Sequence, residues 1–333
     1  MKYFVTGGTG FIGGRIIRQL RDAGHDVVAL VRSAGRGADL ERLGVRLHIG
    51  DVVNKESMHG AMHGVDGVFH TGGWYKLDDK EPSEAMRVNV EGTRNVLELM
   101  RAANVPKGVY TSTVAVYSDT RGKLVDESYY FAGPHLSVYD RSKWLAHHEV
   151  ALPMIRAGLP LTIVLPGVVY GPEDTSPVND MFARYLKGKL TIVPRKTAYC
   201  WSHVDDVARG HILAMEAGRT GESYILAGDA HTVIEALQIA ERITGIPAPR
   251  RSISPRMLRM LAATMRVVGA VIPVPRSYRY EHLRVIAGVT YLADNARSRR
   301  ELGYKPRSLE DGLRDTLPGM QTAEAAPASP PTA

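Results

Sequence analysis

The segment YDRSK places Tyr139 and Lys143 four residues apart, one helical turn, so both side chains can share a face. A phenol beside an ammonium is a recognisable acid–base pair. Free tyrosine, with a pKa of about 10, is a poor proton donor or acceptor at neutral pH, and bringing it near neutrality takes roughly 4 kcal/mol of preference for the phenolate. A cation about 4 Å away supplies about that much at an effective dielectric of 20. Carbonyl reduction needs such a group, because hydride goes to carbon, a proton to oxygen, and the developing oxyanion must be supported. The same spacing also occurs on solvated helix edges, so the pair needs support from the rest of the chain.

The stretch TGGTGFIG, residues 6–13, supplies it. It follows a short apolar run and opens a helical pattern, the context in which a glycine motif signals a dinucleotide. Gly8, Gly10 and Gly13 fit GxGxxG, and Gly7, Gly10 and Gly13 fit GxxGxxG. In either reading glycines permit the tight turn and let a pyrophosphate approach the helix N-terminus. Gly7, Gly10, Phe11, Ile12 and Gly13 are therefore candidate cofactor contacts. At the end of the second strand, where an acidic residue would hold a ribose 2′-hydroxyl, the chain has Arg32, with Arg36 close behind. A guanidinium offers a planar fork to a 2′-phosphate and no acceptor to a hydroxyl. A charge-assisted pair contributes about 1.5–3 kcal/mol, roughly ten- to hundredfold in preference. NADP(H) is the expected cofactor, with NAD(H) as the second choice. A surface arginine at a strand end is the plain alternative.

The elements that must position these groups alternate as parallel βαβ units do. KYFVT, DVVALVR, VRLHIG, GVFHT, KGVYTSTV and LPLTIVLPG read as six strands, separated by helical patterns that include SEAMRVNVEGTRNVLELMRAAN and the YDRSK segment. The expected class is α/β, a Rossmann doubly wound parallel sheet with a smaller, mostly helical C-terminal lobe. Residues 1–170 would form the NADP-binding domain and 171–318 the substrate lobe, with some segments returning to the sheet. The Ala/Pro/Thr-rich residues 319–333 read as a disordered tail. No internal repeat is present.

With 333 residues, 44% hydrophobic and 23% charged, the composition is that of a soluble globular protein of about two lobes. One cysteine, Cys200, excludes an internal disulfide and suits a reducing compartment. The first strand begins so early that no signal or transit peptide precedes it, and a cytoplasmic location is expected. The net charge of +7 comes without a basic run interleaved with aromatics, so nucleic acid is not an expected partner. The basic residues are spread over the C-terminal third, where a phosphorylated cofactor or an acidic lipid would satisfy them as well as DNA. MLRMLAATMRVVGAVIPV, residues 257–274, is apolar, but Arg259 and Arg266 interrupt it, which argues against a membrane span. It is expected to pack against the substrate lobe rather than to lie in a membrane interface.

From TGGTGFIG through GDV, VNVEGT, YTSTVAVY, YDRSK, PGVVYGP and HVDDVARGHILAM to RRELGYKPRSLEDGL, the chain resembles an extended short-chain dehydrogenase/reductase of the NAD-dependent epimerase/dehydratase superfamily. The resemblance spans nearly the whole sequence, and the order and spacing of the fragments make it specific. It implies that Asp51 and Val52 border the adenine and that Thr71, Gly72 and Gly73 line the cofactor, although alanines are commoner there. It implies further that Thr113 donates to the substrate oxygen, that Tyr139 and Lys143 form the YxxxK pair with Lys143 also on the nicotinamide ribose, and that Pro166, Val168 and Val169 meet the nicotinamide.

Nucleotide-sugar members often read RxxNVYGP where this chain has LPGVVYGP, with Leu165 and Val168 in place of Arg and Asn. Sugar dehydratases follow the catalytic Thr with Asp-Glu, whereas Thr113 is followed by Val114 and Ala115. These departures and Arg32 favour a reductase of ketones or aldehydes, similar to the dihydroflavonol-reductase-like branch, over a nucleotide-sugar epimerase. That branch also resembles hopanoid-associated sugar epimerases, so the epimerase stays as the alternative, ahead of a non-catalytic NADP-sensing binder. The expected partner is a small carbonyl or alcohol, and a homodimer is a compatible assembly. Trp74, Tyr75, Met181, Trp201 and His203 are expected around the substrate, His203 equally as a residue that starts a helix. Asn89 reads as a backbone-bonding residue, and Asp205 and Asp206 as a first-turn acidic pair.

Overall fold

Short runs of β-branched and aromatic residues alternate with amphipathic stretches through the first half of the chain, and each run becomes a parallel strand. The computed structural model describes residues 1–75, 82–269, 271–275 and 278–325. The six expected strands are β1 (Lys2–Thr6), β2 (Asp26–Val31), β3 (Arg46–Ile49), β4 (Gly67–His70), β5 (Gly108–Thr111) and β6 (Leu161–Pro166). α1 (Phe11–Asp22) and α2 (Ala34–Arg42) connect the first three. Between β4 and β5, α3 (Pro82–Met86) runs into α4 (Gly92–Ala102) through a wider π turn over Arg87–Glu91. Between β5 and β6, α5 (Val138–Leu145) continues through a second π turn, Ala146–Ala151, into α6 (Leu152–Arg156).

The C-terminal half supplies β7 (Val168–Tyr170), α7 (Pro177–Leu186), β8 (Ile192–Pro194), β9 (Ala198–His203), α8 (Val204–Ala217), β10 (Ser223–Leu226), β11 (Ala230–Thr232) and α9 (Val233–Thr244). It ends with β12 (Arg251–Ile253), α10 (Pro255–Val268), α11 (Tyr280–Val285), β13 (Thr290–Tyr291), α12 (Ala296–Leu302) and α13 (Leu309–Ala325). β10 returns to pair with β6, giving a seven-stranded sheet in the order β10-β6-β5-β4-β1-β2-β3. The chain reverses direction across the sheet at β1, which lies between β4 and β2. In such sheets the ligand crevice opens at that switch point, beyond the carboxyl ends of the strands.

Both faces of the sheet are covered, so its strands are apolar on both sides. Phe4 and Val68 belong to one core, Val5 and Phe69 to the other, as the two-residue strand period requires. In the second half β9 is the hub, pairing with β7 and β13 in parallel and with β11 antiparallel. β8 and β12 form a separate pair.

One expectation is corrected here. The chain from Gly319 was expected to be disordered, but α13 continues through Ala325. Leu309, Leu313 and Leu317 recur at one-turn spacing and are buried, and Met320 packs on the same core. That anchored stripe carries the helix into weak sequence. Residues 326–333 lie outside the described residues.

Candidate active site

The turn between β1 and α1 is tight at several of its glycines. Gly7 has φ +73°, a left-handed conformation that favours glycine, and a Cβ there would sit 2.6 Å from the Gly72 nitrogen. A Cβ on Gly13 would sit 2.7 Å from Thr71 Oγ1 and collide with the Gly7 carbonyl. Gly7 and Gly13 are therefore pressed against the loop after β4, while a Cβ on Gly10 would meet the Gly7 carbonyl at 3.1 Å and one on Gly8 the Ile17 side chain at 2.4 Å. Gly10 caps α1 without a side-chain bond, and the first turn carries no acid. Its N–H groups at Phe11 and Ile12 remain available to an anion. The cradle fits a dinucleotide pyrophosphate.

Behind this turn, register builds a polar row that no single stretch of sequence displays. Thr6 pairs with His70 across β1 and β4, and His70 with Tyr110 across β4 and β5. His70 is fully buried, with Nδ1 2.7 Å from Thr6 Oγ1 and Nε2 3.0 Å from Thr93 Oγ1. Thr93 gives its proton to the Asn89 carbonyl at 2.6 Å, so Nε2 donates to Thr93 and Nδ1 accepts from Thr6. Thr6 Oγ1 in turn accepts the Gly72 N–H at 3.1 Å. Burial, helped by the nearby Lys143, pushes the His70 pKa down to about 3, which keeps the ring neutral.

Asn89, in the π turn, extends the row to the catalytic helix. Its Oδ1 accepts the Trp74 N–H at 2.7 Å, and Nδ2 donates to the Trp74 carbonyl at 3.0 Å and to Ser142 Oγ at 2.8 Å. Ser142 donates to the Tyr139 carbonyl at 2.8 Å. Lys143 ends buried against the same strands, donating to the Thr111 carbonyl at 2.7 Å and to the Tyr110 hydroxyl at 3.3 Å. Burial lowers its pKa to about 7.

Tyr139 sits one turn earlier on α5. Its ring meets Tyr75 edge-on, with centroids 4.9 Å apart. Burial is the largest influence on its hydroxyl and raises the pKa, Tyr75 and Asp140 add to the rise, and a hydrogen bond with Thr113 partly offsets it. The phenol is protonated at neutral pH. Lys143, expected to draw the phenol toward neutrality, here bonds Tyr110 and Thr111 on β5. Thr113 caps the turn Val114–Tyr117, and its Oγ1 accepts the Ala115 N–H at 3.2 Å, which leaves its proton to be donated toward the Tyr139 oxygen.

The family model described as the NAD dependent epimerase/dehydratase family matches residues 3–227. The chain belongs to that family. It is an extended short-chain dehydrogenase/reductase, a class of NAD(P)-dependent enzymes acting on CH–OH groups. It is similar to a Synechocystis sp. protein that carries a provisional dihydroflavonol 4-reductase name, 32% identical over 96% of this chain and 94% of the other. Sterol demethylase protein B from Methylococcus capsulatus is 31% identical, with 95% and 97% covered. The crystal structure of gox2253 matches with a TM-score of 0.82 at 29% identity, covering 96% of this chain and 98% of that one.

The other expected site residues of this family member follow the same carboxyl edge. Arg32 is exposed just beyond β2, and Arg36 is exposed on α2. Asp51 follows β3 and accepts the Val53 N–H at 3.2 Å, while the Val52 carbonyl takes Asn95 Nδ2 at 2.9 Å. Pro166 closes β6, and Val168 and Val169 open β7. Asn89 bonds backbone, as its context suggested. His203 starts α8, accepting the Asp205 N–H at 3.3 Å, and Asp206 binds Arg307 at 3.0 Å. Trp201 does not reach a pocket. It is buried in the second sheet, donating to the His231 carbonyl at 3.0 Å, because every residue of β9 is enclosed. Met181 packs on the core, and Trp74 is buried beside the exposed Tyr75.

Sequence reasoning missed Asp140, inside YDRSK itself. Its buried carboxylate takes the Ser137 hydroxyl at 2.8 Å and the Tyr291 hydroxyl at 3.0 Å, and burial pushes its pKa up to about 7. Glu281 of α11 accepts the Val138 N–H at 3.0 Å. Two buried carboxylates thus hold the N-terminus of α5, where the helix dipole favours negative charge.

Proposed function

We propose that the protein is an NADP(H)-dependent reductase that converts a ketone or aldehyde to an alcohol. The observation that carries this reading is the placement of the Tyr139 phenol beside Thr113, on a helix tied by hydrogen bonds to the dinucleotide turn. Bound NADPH would supply the hydride. Tyr139 then gives its proton to the substrate oxygen, and Thr113 donates a second hydrogen bond to it. Lys143 holds the nicotinamide ribose and, as it takes up charge, steadies the phenolate left behind. Arg32 and Arg36, exposed beyond β2, select the 2′-phosphate. The aromatic wall at Tyr75 suits an apolar or aromatic carbonyl compound, and the reductase and sterol names of two relatives agree with that class.

Cofactor choice is tested by titration of the purified protein. NADPH should bind at least about tenfold more tightly than NADH, and Arg32→Asp should narrow or invert that ratio. Equal affinities in the native protein would remove the case for a 2′-phosphate site. The reaction class is tested by following NADPH absorbance over a panel of ketones, aldehydes and nucleotide sugars. Stoichiometric oxidation supports the reductase, and inversion of a sugar carbinol without net oxidation supports an epimerase.

A further inference from the structure

Between Glu241 and Glu281 the sequence holds eight arginines and no Asp, Glu or Lys. Those eight charges exceed the +7 of the whole chain, so the remainder of the protein is close to neutral. The excess runs from the last turn of α9, where Arg242 is ion-paired with Glu310, through β12 and α10. Arg250, Arg251, Arg256, Arg259 and Arg266 are exposed, and among the described residues none has an acidic side chain at ion-pair distance.

The same segment leaves large apolar side chains in water. Met257 is 59% exposed, Met260 71%, Val267 70%, Val271 84% and Ile272 58%. Met257, Met260, Thr264 and Val267 recur three and four residues apart, so they form one stripe along α10, with Arg256, Arg259 and Arg266 in the row beside it. The other side of α10 is already covered, because Leu258 and Ala262 pack against Leu283 and Ala287. The sequence expectation of packing against the lobe therefore holds for one stripe and fails for the second.

We propose that the outer face of α10 docks the protein on an anionic lipid surface. Met257, Met260 and Val267 enter the boundary between headgroups and acyl chains, and the arginines meet lipid phosphates. Charge complementarity favours this partner over a second copy of the chain, since a two-fold contact would set one arginine row against its own equivalent. Unbranched methionines also adapt to a surface without fixed shape. The contact lies on the bilayer and does not cross it, because no described helix is long and apolar enough to span a membrane.

The docking face is one connection from the candidate active site. Arg266 and Arg284 lie over the Tyr280 ring, at 5.3 and 5.2 Å from its centroid, and the next residue, Glu281, holds the Val138 N–H beside Tyr139. A docked molecule would present that end of α5 to the phase in which an apolar substrate dissolves. The docking claim itself does not depend on the reaction class.

Co-sedimentation of the full chain tests it, using vesicles of phosphatidylcholine alone and vesicles with roughly a third phosphatidylglycerol. The protein should pellet with the anionic vesicles at low salt, stay in solution with the neutral ones, and be released as salt rises. Arg259→Glu with Arg266→Glu should weaken partitioning roughly 25-fold or more, at about fivefold per arginine. Met260→Glu with Val267→Glu should abolish pelleting, while NADPH binding and the unfolding midpoint stay native. A native protein left in the supernatant with anionic vesicles at low salt overturns the proposal, as does pelleting that neither double variant reduces. Self-association lost in Met260→Glu with Val267→Glu, without vesicle binding, would assign the face to a second copy and also overturn it.

Discussion

The strand-end row behind Lys143 and the arm made by α10 and α11 treat polarity in opposite ways. In the row, Thr6, His70, Thr93 and Asn89 are fully buried, and each hydrogen bond has a determined direction. In the arm, large apolar side chains are left in water, and among the described residues Arg250, Arg251, Arg256, Arg259 and Arg266 have no acidic side chain at ion-pair distance. A buried polar group without a partner costs about 1–3 kcal/mol, so a closed row has one geometry and resists rearrangement. That rigidity is what placing Tyr139 against a cofactor requires. Among the described residues the outer face of α10 has no such closure, which agrees with the docking role proposed for it. Meeting the two regions through α11 and Val138 couples the fixed site to the free face.

The largest effects should come from breaking the site end of this contrast. Tyr139→Phe removes the proton and little contact area, so turnover should fall by about 10³ or more while NADPH affinity stays nearly native. Native turnover in that variant would reduce YDRSK to a helix edge. Lys143→Met should impair both turnover and cofactor affinity, because it removes the ribose contact as well as the charge. Thr113→Ala should cost roughly 10²–10³ in rate as a lost oxyanion donor, with cofactor binding unchanged. Loss of binding alone in either variant would assign those residues a different role.

Breaking the row should be felt first as instability. His70→Ala leaves the Thr6 proton without its acceptor and the Thr93 oxygen without its donor, and should lower unfolding stability by about 1–3 kcal/mol in urea titration. An unchanged midpoint would mean that the row is not closed in solution.

A pH-dependent effect concerns Asp140. Its carboxyl has a pKa near 3.8 when free and about 7 in the fold. A raised folded-state value contributes stability at low pH that is lost as pH rises through the folded pKa, here between about 4 and about 7. Asp140→Asn should therefore flatten the decline in urea midpoint from about pH 4 to about pH 7. A slope identical to that of the native protein would show that Asp140 is ionised throughout this range.

The first six strands can be read from sequence because each is an apolar run bounded by glycine, proline or a polar turn, with a helix between neighbours. β10 and β13 cannot, since SYIL and TY are too short to carry a period and gain their strand character from β6 and β9. The glycine turn and YDRSK are local and were found. The row joining them is not local, because Thr6, His70 and Tyr110 each look like an ordinary strand end until register aligns them. The signal available beforehand was Thr6 at the end of KYFVT and His70 near the end of GVFHT, polar residues following apolar runs. Trp201 misled for the converse reason, as an aromatic in a loop-rich region that proves to lie in an enclosed strand. For α10, amphipathic spacing revealed the helix, but one apolar stripe and two apolar stripes give similar composition. Only the exposure of Met257, Met260 and Val267 separates them.

The central claim is that the bound dinucleotide spends its hydride on a carbonyl substrate while Tyr139 supplies the proton. Single-turnover reaction with NADPH deuterated at the nicotinamide C4 measures this most directly. One deuterium should appear on the carbinol carbon of a released alcohol, with an equal amount of NADP⁺ formed and no label transferred by Tyr139→Phe. Tightly held NAD⁺ in the purified protein, with no label in any alcohol and inversion of a nucleotide-sugar carbinol, would contradict it.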